Sequence, residues 1–113
     1  MATFTSVLLS GSTNGRNIKV TATATPGTLI HTAHASNTDE VTLRASNTST
    51  ADVKLTLEVG GVTSPDDLVE ITIPAEMGEF EVLKRRLTGG VVVRAFAGTA
   101  NVINIGGEVN RIS

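Results

Sequence analysis

The sequence predicts an all-β protein, an antiparallel β-sandwich of about eight strands in one domain. Three observations predict it. Apolar and polar residues alternate along most of the chain. Turn-forming residues interrupt the alternation roughly every ten residues. The one stretch that competes as a helix, residues 74–86, is broken by Gly78 and by alternation at its end. The 113 residues are enough for one domain and too few for two.

The segments follow in order. MATFTSVLLSGSTNG, residues 1–15, reads as an N-terminal arm or a strand exchanged with a neighbour. NIKVTATAT, 17–25, places Ile18, Val20, Ala22 and Ala24 on one face and Lys19, Thr21, Thr23 and Thr25 on the other. TLIHTAHA, 28–35, reads as a strand with His31 beside Leu29 and Ala33, and His34 beside Ile30 and Thr32. EVTLRAS, 40–46, turns Val41, Leu43 and Ala45 inward, and DVKLTLEV, 52–59, does the same with Val53, Leu55, Leu57 and Val59. LVEITI, 68–73, alternates through Val69, Ile71 and Ile73, and Phe80 and Val82 share a face in the next run. VVVRAFA, 91–97, is apolar on both sides except for Arg94, the pattern of a central covered strand. NVINIGGEVNRI, 101–112, closes the chain with Ile103 and Ile105 aligned. Pro26-Gly27, Asn47-Thr48-Ser49-Thr50, Gly60-Gly61, Ser64-Pro65-Asp66-Asp67, Gly78, Gly89-Gly90 and Gly98 fall between the runs, where such residues form turns.

Composition excludes several functions. A formal charge of −2 argues against a nucleic-acid binder that works by phosphate neutralisation, and against a polybasic membrane anchor. Without cysteine there is neither a disulfide framework nor a thiolate metal site. The first residues lack the basic region and long apolar run of a signal peptide. No apolar stretch approaches the ~20 residues of a spanning helix. The expectation is a protein made in the cytoplasm, or carried within a larger particle. Three Phe and no Trp or Tyr leave a core of Val, Ile, Leu and Ala. Aromatic rings supply much of the buried area in most domains. Oligomerisation is therefore expected to supplement this core.

HTAHASNTDE, residues 31–40, holds both histidines and two carboxylates. A metal clip on a strand needs His-x-His and a helical one needs i, i+4 spacing, and neither is present. The reading is one exposed histidine, one near a sheet edge or subunit contact, and Asp39 and Glu40 as solvated turn residues. Replacing His31 and His34 by Ala is then expected to change nothing. No Gly-x-Ser-x-Gly elbow marks a nucleophile, and a Ser-His-Asp site would have to be assembled from distant residues. The acidic residues Asp66, Asp67, Glu76, Glu79 and Glu81 lack the aromatic-lined cleft of a glycosidase. The glycine pairs lack the features of a phosphate loop. No enzyme activity, cofactor or metal is expected. Asn47-Thr48-Ser49 is formally a glycosylation sequon. Lys84-Arg85-Arg86 reads as a solvated loop or as a contact with an acidic patch on another subunit. Arg94 is expected either to face water or to pair with a carboxylate across a subunit boundary. Phe80 and Phe96 read as core.

From EVTLRASNTS through VKLTLEVGG, DDLVEITIPA and LTGGVVVRAFAGTANVINIGGEV, the order of segments resembles small structural proteins of tailed-bacteriophage virions. The marks are Asn47-Thr48-Ser49, the strand from Val53 to Val59, Ile73-Pro74, the loop from Leu87 to Gly90 and the strand from Val91 to Ala97. They cover residues 40–110, and bacterial immunoglobulin-like modules show similar marks. The resemblance implies an immunoglobulin-like or jelly-roll-like sandwich. It further implies a capsid decoration or cement protein, a homotrimer bound to the major capsid protein on the virion surface. It carries no catalytic residues. Candidate subunit or capsid contacts are Phe4, Lys84, Arg85, Arg86 and Arg94. The competing expectation is a glycan- or receptor-binding module on a tail or surface.

Overall fold

A computed structural model describes residues 3–113, so residues 1 and 2 of the expected arm lie outside it. Among the described residues there are nine strands and no helix. They are β1 (Phe4–Val7), β2 (Ile18–Lys19), β3 (Thr28–Thr32), β4 (Thr38–Asn47), β5 (Val53–Val59), β6 (Leu68–Ile73), β7 (Phe80–Leu87), β8 (Val92–Ala97) and β9 (Ile103–Ile112). They form two antiparallel sheets packed face to face, the predicted sandwich. The first sheet runs β1-β9-β4-β7, with β2 also pairing β9; the second runs β3-β8-β5-β6. β1 takes Val109 to Ile112 of β9 and β2 takes Asn104 and Ile105, so two short strands share one edge.

Alternation explains the core. β4 buries Asp39, Val41, Leu43, Ala45 and Asn47 and turns the residues between them toward solvent. Facing them from the second sheet are Val53, Leu55, Leu57, Ile73, Val93, Ala95 and Ala97, all buried. No phenylalanine is among the buried core residues. Phe80 packs partly against the core, whereas Phe96 pairs with Thr56 on the outer face of the second sheet, contrary to the core reading.

Three sequence expectations are corrected by backbone irregularities. Residues 17–25 are not one strand. Pairing with β9 ends near Val20, after which the chain crosses to the second sheet, where Ala22 accepts the Ala97 N–H at 3.1 Å. In β3 the register slips at Ile30, so Leu29 pairs with Arg94 while His31 pairs with Val93. A bulge of this kind reverses the inside–outside parity. Leu29 and His31 therefore lie on opposite faces. In β7 a second slip leaves Val82 as the extra residue, so Phe80 and Leu83, not Phe80 and Val82, line up with the inward residues of β4.

Candidate functional site

Two features stand out, a buried polar cluster and a polar cleft, and one loop connects them. Asp39 and Arg111 are cross-strand partners at the start of β4 and the end of β9, both at inward-facing positions. Arg111 Nε and a terminal nitrogen donate to the two Asp39 oxygens at 2.7 and 3.0 Å, a bidentate pair. From the opposite sheet, His31 Nε2 donates to Asp39 Oδ2 at 2.8 Å, and the His34 backbone N–H reaches the same oxygen at 3.2 Å. His31 is 1% and Asp39 0% exposed. Burial pushes the Asp39 carboxyl up, but the hydrogen bonds from Arg111, His31 and the His34 amide outweigh it and hold the group at about 2. The same contact with Asp39 raises Arg111 above its ordinary value.

This corrects the reading of residues 31–40 as one exposed histidine, one near a sheet edge or subunit contact, and solvated turn residues Asp39 and Glu40: His31 is on edge strand β3 but buried, and Asp39 is buried. His31 is core because the bulge at Ile30 rotates it inward, and Asp39 is core because β4 begins one residue before it. His34 has a local role: its Nδ1 accepts the backbone N–H groups of Ser36 and Asn37 at 3.1 and 2.9 Å, closing the turn into β4.

On its other side, His31 Nδ1 accepts the Ser10 backbone N–H at 3.0 Å, with the Ser10 hydroxyl at 3.3 Å. Ser10, His31 and Asp39 thus have the residue types of a nucleophile triad, drawn from distant parts of the chain. Their bonding is that of a tie. The ring nitrogen that would take the hydroxyl proton is already engaged by an amide. The Ser10 oxygen is itself held by the Thr32 N–H at 2.6 Å. Gly11 N–H donates to Ile30 O and Ser12 N–H to Leu9 O, both at 2.9 Å, so the loop after β1 is fastened to the edge of β3. Its far end turns through Asn14 and Gly15, at φ 56° and 79°, a left-handed pair for which Asn-Gly is the favoured sequence.

That loop walls an open cleft of about 510 Å³. Thr13, Arg16, Asn17, Lys19 and Asn104 contribute polar groups, with Gly11 and Ile18 completing the lining. Asn17 lies over Gly106, where a Cβ would meet its Oδ1 at 2.6 Å. Nothing in the alternation pattern marks this cleft, because a loop and two short strands build it.

The outer face of the second sheet holds a buried carboxylate. Glu58, 1% exposed, accepts the Gly27 N–H at 2.6 Å and the Thr25 hydroxyl. Arg94 is its cross-strand neighbour and donates to Gly27 O at 3.3 Å. Arg94 is thus half-buried and finds a partner within its own chain. A cavity of about 150 Å³ beside these two residues is rimmed by Pro26 and Val62.

The remaining predicted contacts sit on the first sheet. Lys84, Arg85 and Arg86 belong to edge strand β7 rather than to a loop, and Arg86 pairs with Glu40 at 3.3 Å. Phe4 is 63% exposed at the opposite edge, in register with Ile112, which also pairs with Thr38. Phe4, Lys84 and Arg86 therefore share the outer face at one end of the sheet, whereas Arg94 lies on the opposite side of the sandwich. Asn47 of the sequon is 2% exposed, with its amide nitrogen donating to Ala51 O and Ile73 O at 2.8 and 2.9 Å, so it is not open to modification. Sequence reasoning missed Ser10, Arg111 and Glu58. Arg111 and Asp39 carry a readable signal, since each continues the inward parity of its strand. No family model, curated protein or solved structure matches the chain.

Proposed function

We propose that the protein is a virion structural protein, a capsid decoration or cement protein of a tailed-bacteriophage head. It acts through protein contacts and without catalysis. The observation that carries this reading is the outer face of the first sheet at the end holding Phe4. There an exposed phenylalanine beside half-buried Ile112 shares a surface with Lys84 and Arg86. Aromatic and cationic side chains on one face are the composition of interface hot spots. β1 has no strand on its far side among the described residues, leaving its outer backbone edge free to pair. The order of segments over residues 40–110, which resembles that of virion β-sandwich proteins, supports the same reading.

In this reading the partners are further copies of the chain, as a trimer, and the major capsid protein. Binding only the assembled shell stabilises that shell by mass action. The test is light scattering of the purified protein followed by co-sedimentation with capsids. The reading expects a trimer that pellets with shells, and a Phe4→Ser, Lys84→Glu, Arg86→Glu variant that stays folded but remains in the supernatant. Undiminished pelleting of the variant, or no pelleting of the native chain, overturns it.

A further inference from the structure

We propose that the cleft beside the loop after β1 binds an anionic saccharide, a sugar bearing a carboxylate or a phosphate. The inference stands apart from the capsid reading, because this cleft shares no residue with the face that carries it.

The argument begins with charge. Arg16 and Lys19 both line the cleft, and neither forms an ion pair among the described residues, whereas Arg44, Lys54, Arg86 and Arg111 all do. No carboxylate lines the cleft. In a chain with net charge −2, two unpaired cations on one concavity make a local positive site, with the Glu79 carboxylate beside Asn17 at Gly106 outside its lining. A concave wall concentrates that field on whatever enters.

Size and lining narrow the ligand. The volume of about 510 Å³ is more than a bare oxyanion requires, and within the range of about 300–1,000 Å³ typical of small-molecule sites. Asn17, Asn104 and Thr13 add amide and hydroxyl groups that both donate and accept, the partners that sugar hydroxyls need. No aromatic side chain lines the cleft, so a neutral sugar has no ring to stack on. The charged group must supply the anchor and the neutral polar groups the orientation.

The wall is held before any ligand arrives. The Ser10 N–H donates to the His31 ring, and the Gly11 and Ser12 N–H groups donate to the Ile30 and Leu9 carbonyls. Ser12 Oγ donates to Arg16 O at 2.8 Å and the Arg16 N–H donates to Thr13 O at 3.0 Å, closing the turn that presents Arg16. Lys19 and Asn104 are register partners on β2 and β9 and project from the sheet side by side. The backbone of such a site is ordered before binding, so the conformational cost of binding falls on the Arg16 and Lys19 side chains.

The experiment is amide chemical-shift mapping of the native chain titrated with glucuronate, glucose 6-phosphate, inorganic phosphate and glucose. The proposal expects saturable shifts at residues 13–19 and 104 with glucuronate or glucose 6-phosphate. The stronger of the two identifies the acid group. It also expects at least tenfold weaker binding of inorganic phosphate and none of glucose. Arg16→Gln and Lys19→Gln, both at exposed positions, should each weaken binding at least tenfold while amides elsewhere keep their native shifts. Absence of saturable shifts with both sugar acids overturns the proposal. So do equal binding of inorganic phosphate, binding unaffected by both substitutions, or shifts centred on residues 84–86.

Discussion

At the scale of the residue, Asp39 governs how the fold responds to acid. Its carboxylate takes four hydrogen bonds while fully buried, and its pKa lies at about 2 against an ordinary 3.8. A carboxyl whose pKa is lower in the folded state stabilises that state above its unfolded value, and the contribution fades as pH falls through the folded value. The difference is worth about 2 kcal/mol at neutral pH, using roughly 1.4 kcal/mol per pKa unit. Urea unfolding of the native chain should therefore lose about that much between pH 4 and pH 2. Asp39→Asn should be less stable at pH 7 and should lose less over the same interval; parallel pH profiles would place the acid sensitivity elsewhere. His31→Ala should cost about 2–3 kcal/mol at pH 7, because it removes one donor from a buried carboxylate and an acceptor from the Ser10 amide. This reverses the expectation drawn from sequence, and His34→Ala, which affects only a turn, should cost about 1 kcal/mol.

At the scale of the element, period two made most of the architecture legible, and its failures lie where the period breaks. β4, β5, β6 and β9 contain the alternating runs read from the chain, and β8 lies in the run read as apolar on both sides except for Arg94. The slips at Ile30 and Val82 were not legible, since an extra residue leaves the local composition unchanged and its consequence depends on the partner strand. The slip at Ile30 hides the inward turn of His31, whereas Asp39 is hidden by the start of β4 at Thr38. The cleft was hidden because an irregular loop within residues 11–19 shapes it, and because the pairing of β2 with β9 that brings in Asn104 is a long-range contact neither segment signals alone. Gly107 shows what the pattern does specify without revealing. It faces Leu43 across β9 and β4, and a Cβ there would lie 2.0 Å from Thr42 O. The two strands approach as they do because that position has no side chain. Gly107→Ala should cost about 3 kcal/mol or more in chemical denaturation, while Gly89→Ala, in open space at φ 65°, should cost only the smaller penalty of a left-handed backbone, about 1 kcal/mol.

At the scale of the molecule, β4 ties the two sheets together at both of its ends. Near its start, Asp39 reaches His31 on β3, at one edge of the second sheet. At its end, Asn47 reaches Ile73 O on β6, at the other edge. Apolar packing between the two ties is non-directional and tolerates sliding of one sheet on the other. Hydrogen bonds are directional, and two of them at opposite corners fix both the offset and the angle. A core of Val, Ile, Leu and Ala, without interlocking aromatic rings, has particular need of such ties. They are about 26 Å apart, eight residues of strand at ~3.3 Å each, so they share no partners and any coupling between them runs through the sheet angle. Asn47→Ala strands the buried Ile73 carbonyl, while the Ala51 carbonyl keeps the Ser49 hydroxyl, and should cost about 2 kcal/mol. The double variant Asp39→Asn, Asn47→Ala should lose more than the sum of the single losses, because only then is neither corner held. Each single variant should keep native near-ultraviolet or side-chain NMR signatures, with one sheet corner still held. The double variant should broaden the methyl resonances of Leu55, Leu57 and Val93, which lie between the sheets. Additive losses with sharp methyl resonances would mean that packing alone sets the sheet angle, and that the two ties serve only to satisfy buried polar groups.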